Sequence, residues 1–103
     1  MNKQQRHILF VASWYPNRNN PILGSFIERH AHAAALRNKV SVVAAFSQEG
    51  ENEMNEQHQD NLSEFILLYP KVKVGDKITT TVRKVKAYRR AIRTAIDHAI
   101  SKN

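Results

Sequence analysis

The residues whose types and spacing bear on chemistry lie between Ser13 and His32. Gly24 and Ser25 stand where a helical pattern begins, just past a loop that follows an apolar run at 8–12. A helix start offers unpaired amides and the positive end of the helix dipole, both suited to a phosphate. A glycine there lets a ligand approach the backbone closely; it serves equally to turn the chain into the helix. Trp14 and Tyr15, at the end of the apolar run, offer faces on which a sugar or a base stacks, or else close the core with a polar tip outward. Arg29, in the first turns of the helix, is placed to meet an anion or to sit in solvent. The loop has neither the G-x-G-x-x-G nor the Walker pattern, so neither a dinucleotide nor a P-loop assignment follows.

Other chemistries find less support. His30 and His32 are two apart and do not share a helix face, which argues against a metal pair. His30 falls on the apolar side of the helical pattern and reads as a core histidine. His7, His58 and His98 have no partner by spacing, and no Ser/His/Asp arrangement is readable. Paired carboxylates occur only in an acidic stretch, where they read as solvated. No catalytic residue, metal ligand or cofactor is assigned.

These residues need elements to hold them. The continuous apolar run at 8–12 reads as a strand covered on both faces. Residues 13–23 are a loop, with Pro16, Asn17, Asn19, Asn20 and Pro21 as turn-formers. Ser25 and Glu28 match a capping box that opens a helix. Its buried face is expected to be Phe26, Ile27, His30, Ala33 and Ala34, and Asn38 is its expected C-cap. A second strand covers 40–46, residues 47–63 read as a long acidic surface loop, and a third strand covers 64–69 before Pro70. The last helix carries Val82, Val85, Tyr88, Ile92, Ile96, Ala99 and Ile100 at steps of three and four. The order strand-helix-strand-strand-helix predicts an α/β fold: a three-layer, Rossmann-like parallel sheet of three strands. Three strands leave little room for two covered faces, so residues 1–103 read as one truncated domain.

Composition sets the outer bounds. The chain has 103 residues, 42% of them hydrophobic, and no cysteine. It is one domain at most, without disulfides, which fits a reducing compartment. The apolar run at 8–12 is far shorter than the ~20 residues of a membrane span, and a cytoplasmic location is expected. The net charge of +7 is unevenly spread. Six Lys/Arg face one acid over 1–47, six acids stand without Lys/Arg over 48–64, and ten Lys/Arg face two acids over 65–103. Arg83, Lys84, Lys86, Arg89, Arg90 and Arg93 crowd one helix, which suits a polyanion or an anionic membrane surface. No nucleic-acid-binding motif accompanies them, and nucleic acid is not expected as a partner.

The stretch Ile8-Leu9-Phe10-Val11-Ala12-Ser13-Trp14-Tyr15-Pro16, then Asn20-Pro21 and Gly24-Ser25-Phe26-Ile27-Glu28-Arg29-His30, resembles the opening of glycosyltransferase family 4 enzymes. The strand at 40–45, Tyr69-Pro70 and residues 85–92 also fall where that family has its second and third strands and following helix. The resemblance implies a GT-B fold, two Rossmann-like domains facing across a cleft. The N-terminal one binds a saccharide or lipid-linked acceptor, and the other holds a nucleotide-sugar donor. Such enzymes are typically retaining and need no bound metal. By the same resemblance Gly24, with Ser25, falls near the donor diphosphate, and Trp14, Tyr15, Asn19 and Arg29 line the acceptor side. Many relatives carry paired glycines where Gly24 stands alone, and the family's later strands and donor domain are absent. The expectation is therefore an acceptor-side fragment, inactive alone and peripheral to the inner membrane face. The alternative is a stand-alone basic α/β module that binds polyanions or a protein partner. Either way an unpaired sheet edge invites self-association.

Overall fold

The computed structural model describes residues 6–17, 19–73 and 75–102. In chain order these form β1 (His7–Val11), α1 (Ser25–Ala34), β2 (Lys39–Gln48), β3 (Glu53–Gln59), β4 (Leu62–Pro70) and α2 (Lys77–Lys102). The sheet order is β1-β2-β4-β3. β2 is central because both its faces are apolar, and it pairs in parallel with β1 and β4. Val42 lies opposite Phe10 on one side and Glu64 on the other.

Alternation along β2 and β4 divides the core in two. Val40, Val42, Ala44, Leu62, Ile66 and Leu68 cluster with Ala31 of α1. Val43, Ala45, Phe65 and Leu67 cluster with Ala91, Ala95 and Ala99 of α2. Val42, Val43, Phe65 and Leu68 have no exposed surface, and each such burial stabilises the fold by about 1.5–3 kcal/mol. Three alanines at steps of four let α2 lie close to the sheet, with Tyr88, Ile92 and Ile96 packed beside them.

Several expectations need correction. The sheet has four strands, not three, and the fourth lies inside the supposed acidic loop. β3 pairs antiparallel with β4 through a turn at Asp60-Asn61, where Asp60 takes φ 52°, a conformation short polar side chains tolerate. β3 holds its place by backbone pairing at an edge, which needs little apolar side chain. The capping box does not form. Gly24 occupies the N-cap with φ 64° and no side-chain cap, so Ser25 is already helical and Glu28 sits one residue too far along. The buried side of α1 is Ile27, Ala31, Ala34 and Ala35, whereas Phe26 is 53% exposed and His30 and Ala33 face solvent. Only the second half of the α2 stripe packs: Val82 and Val85 are about half exposed and Ile100 is 65% exposed.

Two helix ends are secured by side chains. The C-cap of α1 is Ala35 and not Asn38 as expected, but the Asn38 carboxamide donates to the Ala34 carbonyl at 3.1 Å and secures the end of the helix. Asp76 accepts the Thr79 amide at 2.9 Å and the Thr79 hydroxyl at 2.8 Å, capping α2. The sheet's two edges differ. β1, expected to be covered on both faces, lies at an edge and exposes Leu9 and Val11 on one of them, while β3 carries Glu53, Asn55, Glu56, Gln57 and His58.

Candidate functional site

Because β1, β2 and β4 are parallel, their carboxyl ends share one edge, where open α/β sheets bind ligands. The loop after β1 is built there by its own asparagines. The Asn17 side-chain oxygen accepts the amides of Asn19 at 3.0 Å and Asn20 at 3.1 Å, and its nitrogen donates to the Tyr15 carbonyl at 3.1 Å. Asn19 donates to the Gln48 side-chain oxygen at 3.1 Å, and Gln48 in turn donates to the Glu51 carbonyl at 3.0 Å. The loop is thereby tied to the end of β2.

Gly24 closes the loop against Trp14. A Cβ on Gly24 would stand 2.5 Å from the Trp14 carbonyl oxygen, so both contact and φ demand glycine here. The amides of Ile27 and Glu28 bond back to the Gly24 carbonyl, and no side chain caps the turn before them. Trp14, 59% exposed, and Phe26 flank this turn and wall an apolar groove along β1 with Ile8, Phe10 and Ile27. Gly24, Ser25 and Trp14 are thus brought together. Ser25 and Arg29 are exposed on α1.

Tyr15 points the other way. It is 1% exposed, and its hydroxyl donates to Glu64 of β4. Burial, that hydrogen bond and the carboxylates of Glu64 and Glu28 push its ionisation well above the usual tyrosine range. Tyr15 floors a second cleft, of about 620 Å³, bordered by Asn17, Glu28, Asn55, Gln57 and Glu64. Carboxylates and carboxamides around one aromatic ring form a set that accepts and donates hydrogen bonds to hydroxyl-rich ligands.

The sequence reading missed how this cleft is assembled. Glu28 and His32 stand four apart on α1, one turn apart on the same face, and Glu64 reaches them from β4. One ligand atom from each of the three lies within 4.8 Å of the others. The spacing of Glu28 and His32 is legible in the sequence. The approach of Glu64 is not, because it depends on strand register.

A separate polar knot holds β3 to α2. Glu56 accepts hydrogen bonds from His58 Nε2 at 2.5 Å and His98 Nε2 at 2.6 Å. Phe65 stacks edge-on against both imidazoles. The bonds from His58 and then His98 pull the Glu56 carboxyl down to about 2. Arg83, Lys84, Lys86, Arg89, Arg90 and Arg93 are all exposed on α2. No described helix is long and apolar enough to cross a membrane. No family model, curated protein or solved structure matches the chain.

Proposed function

We propose that this chain is the acceptor-side half of a retaining glycosyltransferase of the family 4 type. In this reading it is a three-layer Rossmann-like domain that works with a separate donor-binding domain. The observation that carries it is the turn at Gly24: an uncapped helix start, at the carboxyl edge of three parallel strands, flanked by an exposed Trp14. Gly24 and Ser25 then face the diphosphate of a nucleotide-sugar donor held mainly by the other domain. Trp14 offers its ring to the saccharide or lipid-linked acceptor, with Arg29 as an anion contact on the same helix. Tyr15 and Asn19 act one step back, holding the loop through Glu64 and Gln48. The basic α2 seats the enzyme against the inner membrane face, and the location is cytoplasmic. The chain supplies no catalytic residue of its own, and the isolated chain transfers no sugar.

Titration of the ¹⁵N-labelled chain with uridine and guanosine diphosphates, followed by NMR, tests the reading. Saturable shifts at the amides of Gly24, Ser25 and Phe26 are expected. Absence of shifts there at millimolar nucleotide overturns it. The second reading, a basic module for polyanions, rests on the exposed cations of α2. It calls for shifts confined to 83–93 that vanish as salt rises.

A further inference from the structure

The cleft floored by Tyr15 carries a cluster for which sugar transfer has no use. Glu28, His32 and Glu64 present one nitrogen and two carboxylate oxygens within 4.8 Å of one another. In a tetrahedral shell two ligands on one ion at ~2.1 Å stand ~3.4 Å apart. Rotamer adjustments of roughly an ångström therefore close the set around a single ion. The elements that carry it are firm. Glu28 and His32 are one turn apart on α1, and Glu64 lies in a strand paired on both sides, opposite Val42 and Gln57.

The local charge balance points the same way. Among the described residues, neither Glu28 nor Glu64 has an ion-pair partner; the pairs formed involve Glu49 and Glu56. Tyr15 donates to one oxygen of Glu64 and leaves the other for a second partner. Both carboxylates are half-buried while His32 is exposed, so the cluster opens toward solvent and the cleft.

We propose that Glu28, His32 and Glu64 form a binding site for a first-row divalent cation. A mixed nitrogen and carboxylate set suits Mn²⁺, Fe²⁺ or Zn²⁺ rather than Ca²⁺ or Mg²⁺, which prefer oxygen alone. Three protein ligands leave coordination positions open toward the cleft, where an oxygen of a small ligand or water completes the shell. The ion also clamps α1 to β4. The site is independent of the glycosyltransferase reading, in which no metal takes part.

The test uses the full 103-residue chain with Zn²⁺ by calorimetry and Mn²⁺ by NMR line broadening. One saturable site is expected, with broadening centred on Glu28, His32 and Glu64. His32→Gln should weaken Zn²⁺ binding at least about tenfold, since removing even an outer-shell partner has that effect. His32 is exposed, so this variant keeps the fold, which circular dichroism checks. His30→Gln, on the same helix but outside the cluster, should bind as the native chain does. The proposal is overturned by an absence of saturable binding, by broadening centred on Glu56, His58 and His98 instead, or by native affinity in His32→Gln.

Discussion

Replacing Gly24 with alanine should cost about 3 kcal/mol of folding stability, and the structure says where that comes from. An alanine at φ 64° carries a penalty of about 1–2 kcal/mol for the left-handed conformation. Its Cβ would also stand 2.5 Å from the Trp14 carbonyl oxygen and 2.6 Å from the carbonyl carbon. Both are backbone atoms, so the loop after β1 must move. Forcing extra atoms into a packed site typically costs about 1–3 kcal/mol. Loss of chain entropy in the unfolded state returns about 0.4–1 kcal/mol. Urea denaturation measures the difference: with m near 1.5 kcal/mol/M, the midpoint falls by about 2 M. Thermal melting falls by roughly 10–25 °C for a domain of this size. Gly50→Ala is the control, because Gly50 also has positive φ, 106°, but an added Cβ there meets no atom within 4 Å. Both variants carry a backbone penalty at positive φ, so the difference between them reports the contact with Trp14. The reasoning fails if Gly24→Ala melts within about 0.5 kcal/mol of the native chain, or if it is no worse than Gly50→Ala.

Two further outcomes follow from the polar features. Glu56, held near 2 by His58 and His98, has a lower pKa folded than unfolded. It therefore stabilises the fold fully above the ordinary carboxylate pKa of ~4.3 and loses that contribution as pH falls from there toward 2. Urea midpoints measured between pH 7 and pH 2 should show this decline, and Glu56→Gln should flatten it; an equal decline in the variant refutes the assignment. The exposed cations of α2 predict sedimentation with anionic but not neutral liposomes, reduced by salt and abolished in Arg89→Glu/Arg90→Glu. Binding that ignores salt removes the membrane role.

The parts of the fold visible in the sequence are those whose burial writes itself into side chains. β2 and β4 are apolar runs because both their faces are covered, whereas β1 is apolar although one of its faces leaves Leu9 and Val11 exposed. β3 left no such trace. Met54 is its one apolar residue packed on the core, and the ladder that holds it is backbone, which composition does not record. In α1 the packed face, Ile27, Ala31, Ala34 and Ala35, falls one residue further along than the expected one, which leaves Phe26 and His30 outward. In α2 the periodicity was legible but its coverage was not. Of this 26-residue helix, the part from Tyr88 to Ala99 packs on the sheet core, and Ile78, Val82 and Val85 are left exposed beyond it. The site divides the same way. Gly24 beside a strand end is a local pattern, readable from neighbours in the chain. Tyr15 with Glu64, and Glu56 with His98, join residues far apart in sequence, and only the register of the sheet brings them together.

The contrast between the sheet's margins gives it a direction of growth. On the β3 side, an incoming strand meets a row of acids, amides and a histidine that must give up water before any backbone bond forms. On the β1 side it meets open amides and carbonyls beside Leu9 and Val11, with charged or titratable side chains only at its start, Arg6 and His7. A polypeptide that lengthens this sheet, whether from the same molecule or another, therefore has one favoured port of entry. Lysine at Leu9 or Val11 would shut it while leaving the hairpin at the opposite margin as it is.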